Sequence, residues 1–67
     1  MTDKEIYRLD RQCPQTEFVG LRCYKPLLLA LRMKAGNENV DVSRLIRRLL
    51  LQGLAAEGIQ VPGFPNP

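Results

Sequence analysis

The sequence predicts a mostly α-helical chain with one short strand, forming a single domain that needs a second copy of itself. Three observations predict it. Residues 17–23 place Val19, Leu21 and Cys23 on every second position, the strand period, with Phe18, Gly20 and Arg22 on the other face. Two later stretches, about 26–35 and 41–57, carry apolar residues at helical spacing. The chain has only 67 residues, and a domain of that size buries only about 60% of its unfolded surface.

The first fifteen residues are polar, with Met1, Ile6, Tyr7, Leu9 and Cys13 as the apolar exceptions and Pro14 at the end. They read as a mobile arm with at most a helical turn over 4–11, since such termini order only when tied down. The strand follows. Its backbone N–H and C=O groups need a partner, and no second strand is visible, so the same strand of another copy is the expected one.

Pro26 suits the start of a helix, where its missing N–H costs nothing. In the helix from about 26 to 35, Leu27, Leu28, Leu31 and Ala35 line one face, while Leu29, Ala30 and Met33 extend the apolar cover around it. Gly36, Asn37, Glu38 and Asn39 end it, glycine and asparagine accepting a left-handed exit.

The second helix begins at Asp41 or Ser43, either of which can cap free N–H groups, and Gly58 stops it. Val42, Leu45, Ile46, Leu49, Leu50, Gly53, Leu54 and Ala56 fall on one half; Arg44, Arg47 and Arg48 fall on the other. Leu51 sits among the charges, and Gly53 allows close approach of a second backbone. Residues 59–67 form a proline-rich tail that can be neither helix nor central strand. The domain proper is therefore 16–58, between arm and tail.

Composition narrows the chemistry. Ten Lys and Arg against seven Asp and Glu give a net charge of +3, mildly basic and permissive of an acidic partner. With no histidine, no evident pair of acids and no phosphate-cradling glycine loop, neither a catalytic site nor a cofactor is expected. Cys13 and Cys23 alone cannot build a zinc site. No apolar run is long enough for a membrane span, and no secretory leader is evident, so a reduced, cytoplasmic protein is expected.

The order strand, helix, polar loop, capped helix, with the alternation over 18–23 and the run Asp41-Val42-Ser43-Arg44-Leu45-Ile46-Arg47-Arg48-Leu49-Leu50, resembles the ribbon-helix-helix family. The resemblance implies an intertwined homodimer whose strands pair into a two-stranded antiparallel ribbon lying in the major groove of double-stranded DNA. It implies a transcriptional repressor, and the small size with no visible sensor domain points to a phage, plasmid or similar mobile element. Phe18, Gly20 and Arg22 would face the bases, Arg22 able to bond guanine O6 and N7 together. Val42, Ser43 and Arg44, at the start of the second helix, would hold a phosphate. The alternative is a protein-binding module on the same scaffold, antitoxin-like or an inhibitor, its partner docking on Phe18, Leu51 or the tail.

Overall fold

Three helices follow one another along the chain: α1 (Asp3–Gln12), α2 (Lys25–Glu38) and α3 (Val42–Ala56). The computed structural model describes residues 2–64, and the part of the tail at 65–67 lies outside them. Both α1 and α2 pack on α3, which is the central element.

Each helix has local reasons to exist. Thr2 caps α1, its Oγ1 accepting the Glu5 N–H at 3.3 Å, with acidic Asp3 and Glu5 in the first turn and Arg11 in the last. This is the Thr-x-x-Glu pattern of a capping box, and the charges suit the helix dipole. Pro14 forbids continuation, because the residue before a proline avoids the helical region. In α2, Pro26 stands in the first turn. That helix closes on Asn39, which is left-handed at φ 56. The Val40 N–H reaches the Ala35 carbonyl at 3.0 Å and the Asn39 N–H reaches Gly36 at 3.2 Å, the two bonds of a Schellman exit. The same exit ends α3: Gly58 takes φ 83, with Ile59 bonded to Leu54 at 2.9 Å and Gly58 to Ala55 at 3.0 Å.

The apolar centre takes one residue from each helix. Ile6, Ala35 and Leu45 are its buried hydrophobic members, Leu45 completely so. Around them lies a polar layer. Arg48 is 5% exposed and Asp10 5% exposed, yet no buried side-chain nitrogen or oxygen among the described residues lacks a partner. The satisfaction of every such group is what makes this burial tolerable.

Three expectations need correction. The chain is a three-helix domain, and the described residues contain no strand and no ribbon, so the ribbon-helix-helix architecture does not hold. Residues 13–24 carry no regular secondary structure and pair with nothing: Phe18, Val19, Leu21 and Tyr24 are 95%, 80%, 69% and 70% exposed, and Cys23 is exposed as well. Alternation of residue types carries no information on a partner, and without one no strand forms over 17–23. The N-terminal stretch is the second correction, since residues 3–12 form a docked helix instead of a mobile arm. The third concerns α3, where Arg48 is buried while its neighbours Leu49 and Leu50 are 42% and 48% exposed. Beyond α3, Val61 and Phe64 form an isolated antiparallel bridge.

Candidate nucleic-acid interface

The basic surface of this protein is created by the way its acids are used inside. On α1, Asp3, Ile6, Tyr7 and Asp10 share the inward face by their i, i+3, i+4, i+7 spacing. Offset by one residue, Lys4, Arg8 and Arg11 share the outward face, and all three are exposed.

The inward face meets α3 through hydrogen bonds. Arg47 grips Asp10 with two prongs, Nε donating to Oδ1 at 2.7 Å and Nη2 to Oδ2 at 3.0 Å. Arg48 donates from Nε to the Tyr7 hydroxyl at 2.9 Å, from Nη2 to Glu38 Oε2 at 2.8 Å and from Nη1 to Gln52 Oε1 at 3.1 Å. Its Nη1 also lies 3.0 Å from Asp3 Oδ2, and its guanidinium sits 5.5 Å from the centre of the Tyr7 ring. The Tyr7 hydroxyl donates in turn to Glu38 Oε1 at 2.6 Å. Arg48 thereby joins all three helices.

These contacts set the titration of the network. The hydrogen bond from Tyr7, helped by Lys34 and Arg48, holds the Glu38 carboxyl below its ordinary value. Burial, with the hydrogen bond to Glu38, pushes the Tyr7 phenol above its own. The Asp10 carboxylate, gripped in two places, raises Arg47.

The charge balance then divides cleanly. Four cations, Lys34, Arg44, Arg47 and Arg48, pair with four acids, Asp3, Asp10, Glu38 and Asp41. Equal numbers cancel. The whole net charge of +3 therefore comes from Lys4, Arg8, Arg11, Arg22, Lys25 and Arg32 against Glu5, Glu17 and Glu57, none of which has an ion-pair partner among the described residues. Three of those six cations lie on one face of α1. With Tyr7 they line a shallow groove of about 230 Å³. From Lys4 to Arg11 the helix rises about 10 Å, so the three cations form a short linear track.

The residues expected to make contact are distributed differently. Phe18, Gly20 and Arg22 lie on the exposed segment without regular secondary structure, with the Phe18 ring folded towards Gly20, 3.1 Å from where a β-carbon on that glycine would stand. Val42, Ser43 and Arg44 form the first turn of α3. The amides of a first turn have no acceptor within the helix. There, however, Asp41 supplies a carboxylate, 3.5 Å from the Arg44 guanidinium. The two groups are thus not brought into one array by any contact within the chain. Lys4, Arg8 and Arg11 were passed over in the sequence because Asp3, Glu5 and Asp10 stand among them. The heptad spacing of Asp3, Tyr7 and Asp10 was the signal that two of those acids face inward.

Compared with known proteins, the chain matches no family model, no curated protein and no solved structure.

Proposed function

We propose that this protein binds double-stranded DNA and represses transcription by occupying its site. The observation that carries the proposal is the cationic track of Lys4, Arg8 and Arg11 on α1, left uncompensated because Asp3 and Asp10 are engaged by Arg48 and Arg47. A helix with charges along one side matches the phosphate backbone, which supplies most of the sequence-independent affinity of such proteins. Arg22, exposed and without an ion-pair partner among the described residues, is the candidate for reading a base edge. No helix among the described residues is long and apolar enough to cross a membrane.

The test is titration of a labelled duplex at low and moderate salt, with the full chain and with Lys4, Arg8 and Arg11 all changed to alanine. The expected result is binding that weakens steeply with salt and is lost in the triple variant while its helical signal persists. No binding by the native chain at low salt overturns the proposal, as does equal binding by the triple variant.

One observation favours a second reading, a protein-binding module. Phe18 at 95% exposure, with Val19, Leu21 and Tyr24 also exposed, presents large apolar groups on a segment without regular secondary structure, a form that can order on a partner protein. Phe18→Ala separates the two: loss of a protein partner with DNA affinity unchanged supports this second reading.

A further inference from the structure

Helix α2 is covered on one side only. Its buried or half-covered residues are Leu28, Leu31, Ala35 and Glu38, spaced 3, 4 and 3 residues apart, and they mark the side that faces the rest of the domain. At 3.6 residues per turn the opposite side carries Pro26, Leu29, Ala30 and Met33, all exposed and none charged. Leu29 is 50% and Met33 70% exposed. Lys25 and Arg32, seven residues apart, run along one edge of this stripe, and Lys34 stands at the other. From this arrangement we infer that the outer side of α2 lies on the surface of a lipid bilayer containing anionic headgroups. The apolar stripe enters the boundary between headgroups and acyl chains, while Lys25 and Arg32 stay among the phosphates. At 14 residues the helix is about 21 Å long, short of the ~30 Å hydrocarbon core, so it lies along the surface. The inference is independent of the DNA contact, in which none of these residues takes part.

Charge identifies the occupant. No acidic residue stands between Glu17 and Glu38. Of the cations in that interval, Arg22, Lys25 and Arg32 have no ion-pair partner among the described residues, and they are the uncompensated cations that do not lie on α1. Seven of the ten large hydrophobic residues exposed among the described residues fall in the same interval. One of them, Tyr24, is of the amphipathic kind enriched where a bilayer meets water. Cations and apolar groups therefore share one surface. A nucleic-acid backbone answers the cations but offers Leu29 and Met33 no apolar layer. A second copy of this stretch answers the apolar groups but sets cation against cation, with no acid between them. A bilayer with anionic lipids supplies both, a negative surface and an apolar interior within reach of it. It also demands no shape complementarity, which suits the convex side of a helix.

Co-sedimentation of the full chain with phosphatidylcholine vesicles, prepared with and without phosphatidylglycerol, reads the interaction. Binding to the anionic vesicles is expected to exceed binding to the neutral ones by about tenfold or more, since each basic residue near the surface contributes a preference of about fivefold. Lys25→Gln with Arg32→Gln is expected to remove most of that preference. Leu29→Gln with Met33→Gln is expected to weaken binding by about tenfold or more. All four side chains are exposed, so the helical signal is expected to stay. Changing Lys4, Arg8 and Arg11 together to alanine is expected to leave vesicle binding in place. The chain has no tryptophan, so Met33→Trp supplies a single reporter, whose emission is expected to shift to the blue on anionic vesicles; it decides the matter should a paired variant fail to fold. A native chain that does not sediment with anionic vesicles overturns the inference, as does equal binding to neutral ones. Undiminished binding by the Leu29→Gln, Met33→Gln chain, loss of binding in the α1 triple variant, or Met33→Trp emission unmoved by vesicles overturns it equally.

Discussion

Asp10 and Arg47, thirty-seven residues apart, hold the last turn of α1 against α3 by two parallel hydrogen bonds of 2.7 and 3.0 Å. The planar fork of the guanidinium fits a carboxylate in this way. The carboxylate is almost fully enclosed and the guanidinium about one-third exposed.

Asp10→Ala leaves Arg47 without its acceptors, though water can reach part of that side chain. The expected loss is about 1–2 kcal/mol, below the value for a fully enclosed pair. The measurement is the midpoint of urea unfolding. An unchanged midpoint would show that α1 is held elsewhere.

Arg48→Ala should be more severe. It removes the common partner of Tyr7, Glu38, Gln52 and Asp3, and the cost of orphaning such a network is about 3–5 kcal/mol. Arg48→Lys should recover little, because a single ammonium cannot occupy three directions in one plane. Thermal melts followed by circular dichroism read both. Full rescue by lysine would mean that charge alone matters at this position.

Stability should form a plateau bounded by Glu38 and Tyr7. The unfolded glutamate takes up its proton near 4.5, whereas the folded one does so only at lower pH. Between those values the unfolded chain binds more protons, so stability is complete above the unfolded pKa and is lost as pH falls through the folded one. Tyr7 behaves in the opposite sense. Its folded pKa lies above 10, so its contribution is complete below 10 and disappears as pH rises through the folded value. Denaturation midpoints across pH should fall at both ends. Glu38→Gln should flatten the acid side; an acid limb identical to that of the native chain would remove Glu38 from this role.

The salt dependence of DNA binding should count the cations on α1. With Lys4, Arg8 and Arg11 each neutralising one phosphate, they account for a log–log slope of about −2.7, and Arg8→Ala should reduce its magnitude by about 0.9. Arg22→Ala should instead relax base preference by about 1–3 kcal/mol. Binding to duplexes of different sequence, titrated against salt, reads both quantities. A slope unaltered in Arg8→Ala would place the phosphate contacts elsewhere.

Much of the local structure was legible in the residues. Pro26, Asn39 and Gly58 punctuate the two long helices close to where the sequence places them, because their effects act within a few bonds. Partnership was not legible. The contacts that dock α1 join Asp3, Tyr7 and Asp10 to residues from Glu38 onward, and period and propensity carry no information on such distant pairs. The place of Arg48 was hidden too: a charged residue is ordinarily on the outer face, and here the acids of α1 and α2 draw this one arginine inward beside the buried Leu45.

Residues 13–24, which connect α1 to α2 and touch α1 only at their start, where the Gln15 side chain donates to the Asp10 carbonyl at 3.2 Å, also act as a tether. Twelve residues reach about 40 Å when extended, more than the 32 Å longest dimension of the molecule. The first helix is therefore located by what it meets, Arg47, Arg48 and Gln52 of α3, Glu38 of α2 and the apolar centre that receives Ile6, and not by the length of chain that delivers it.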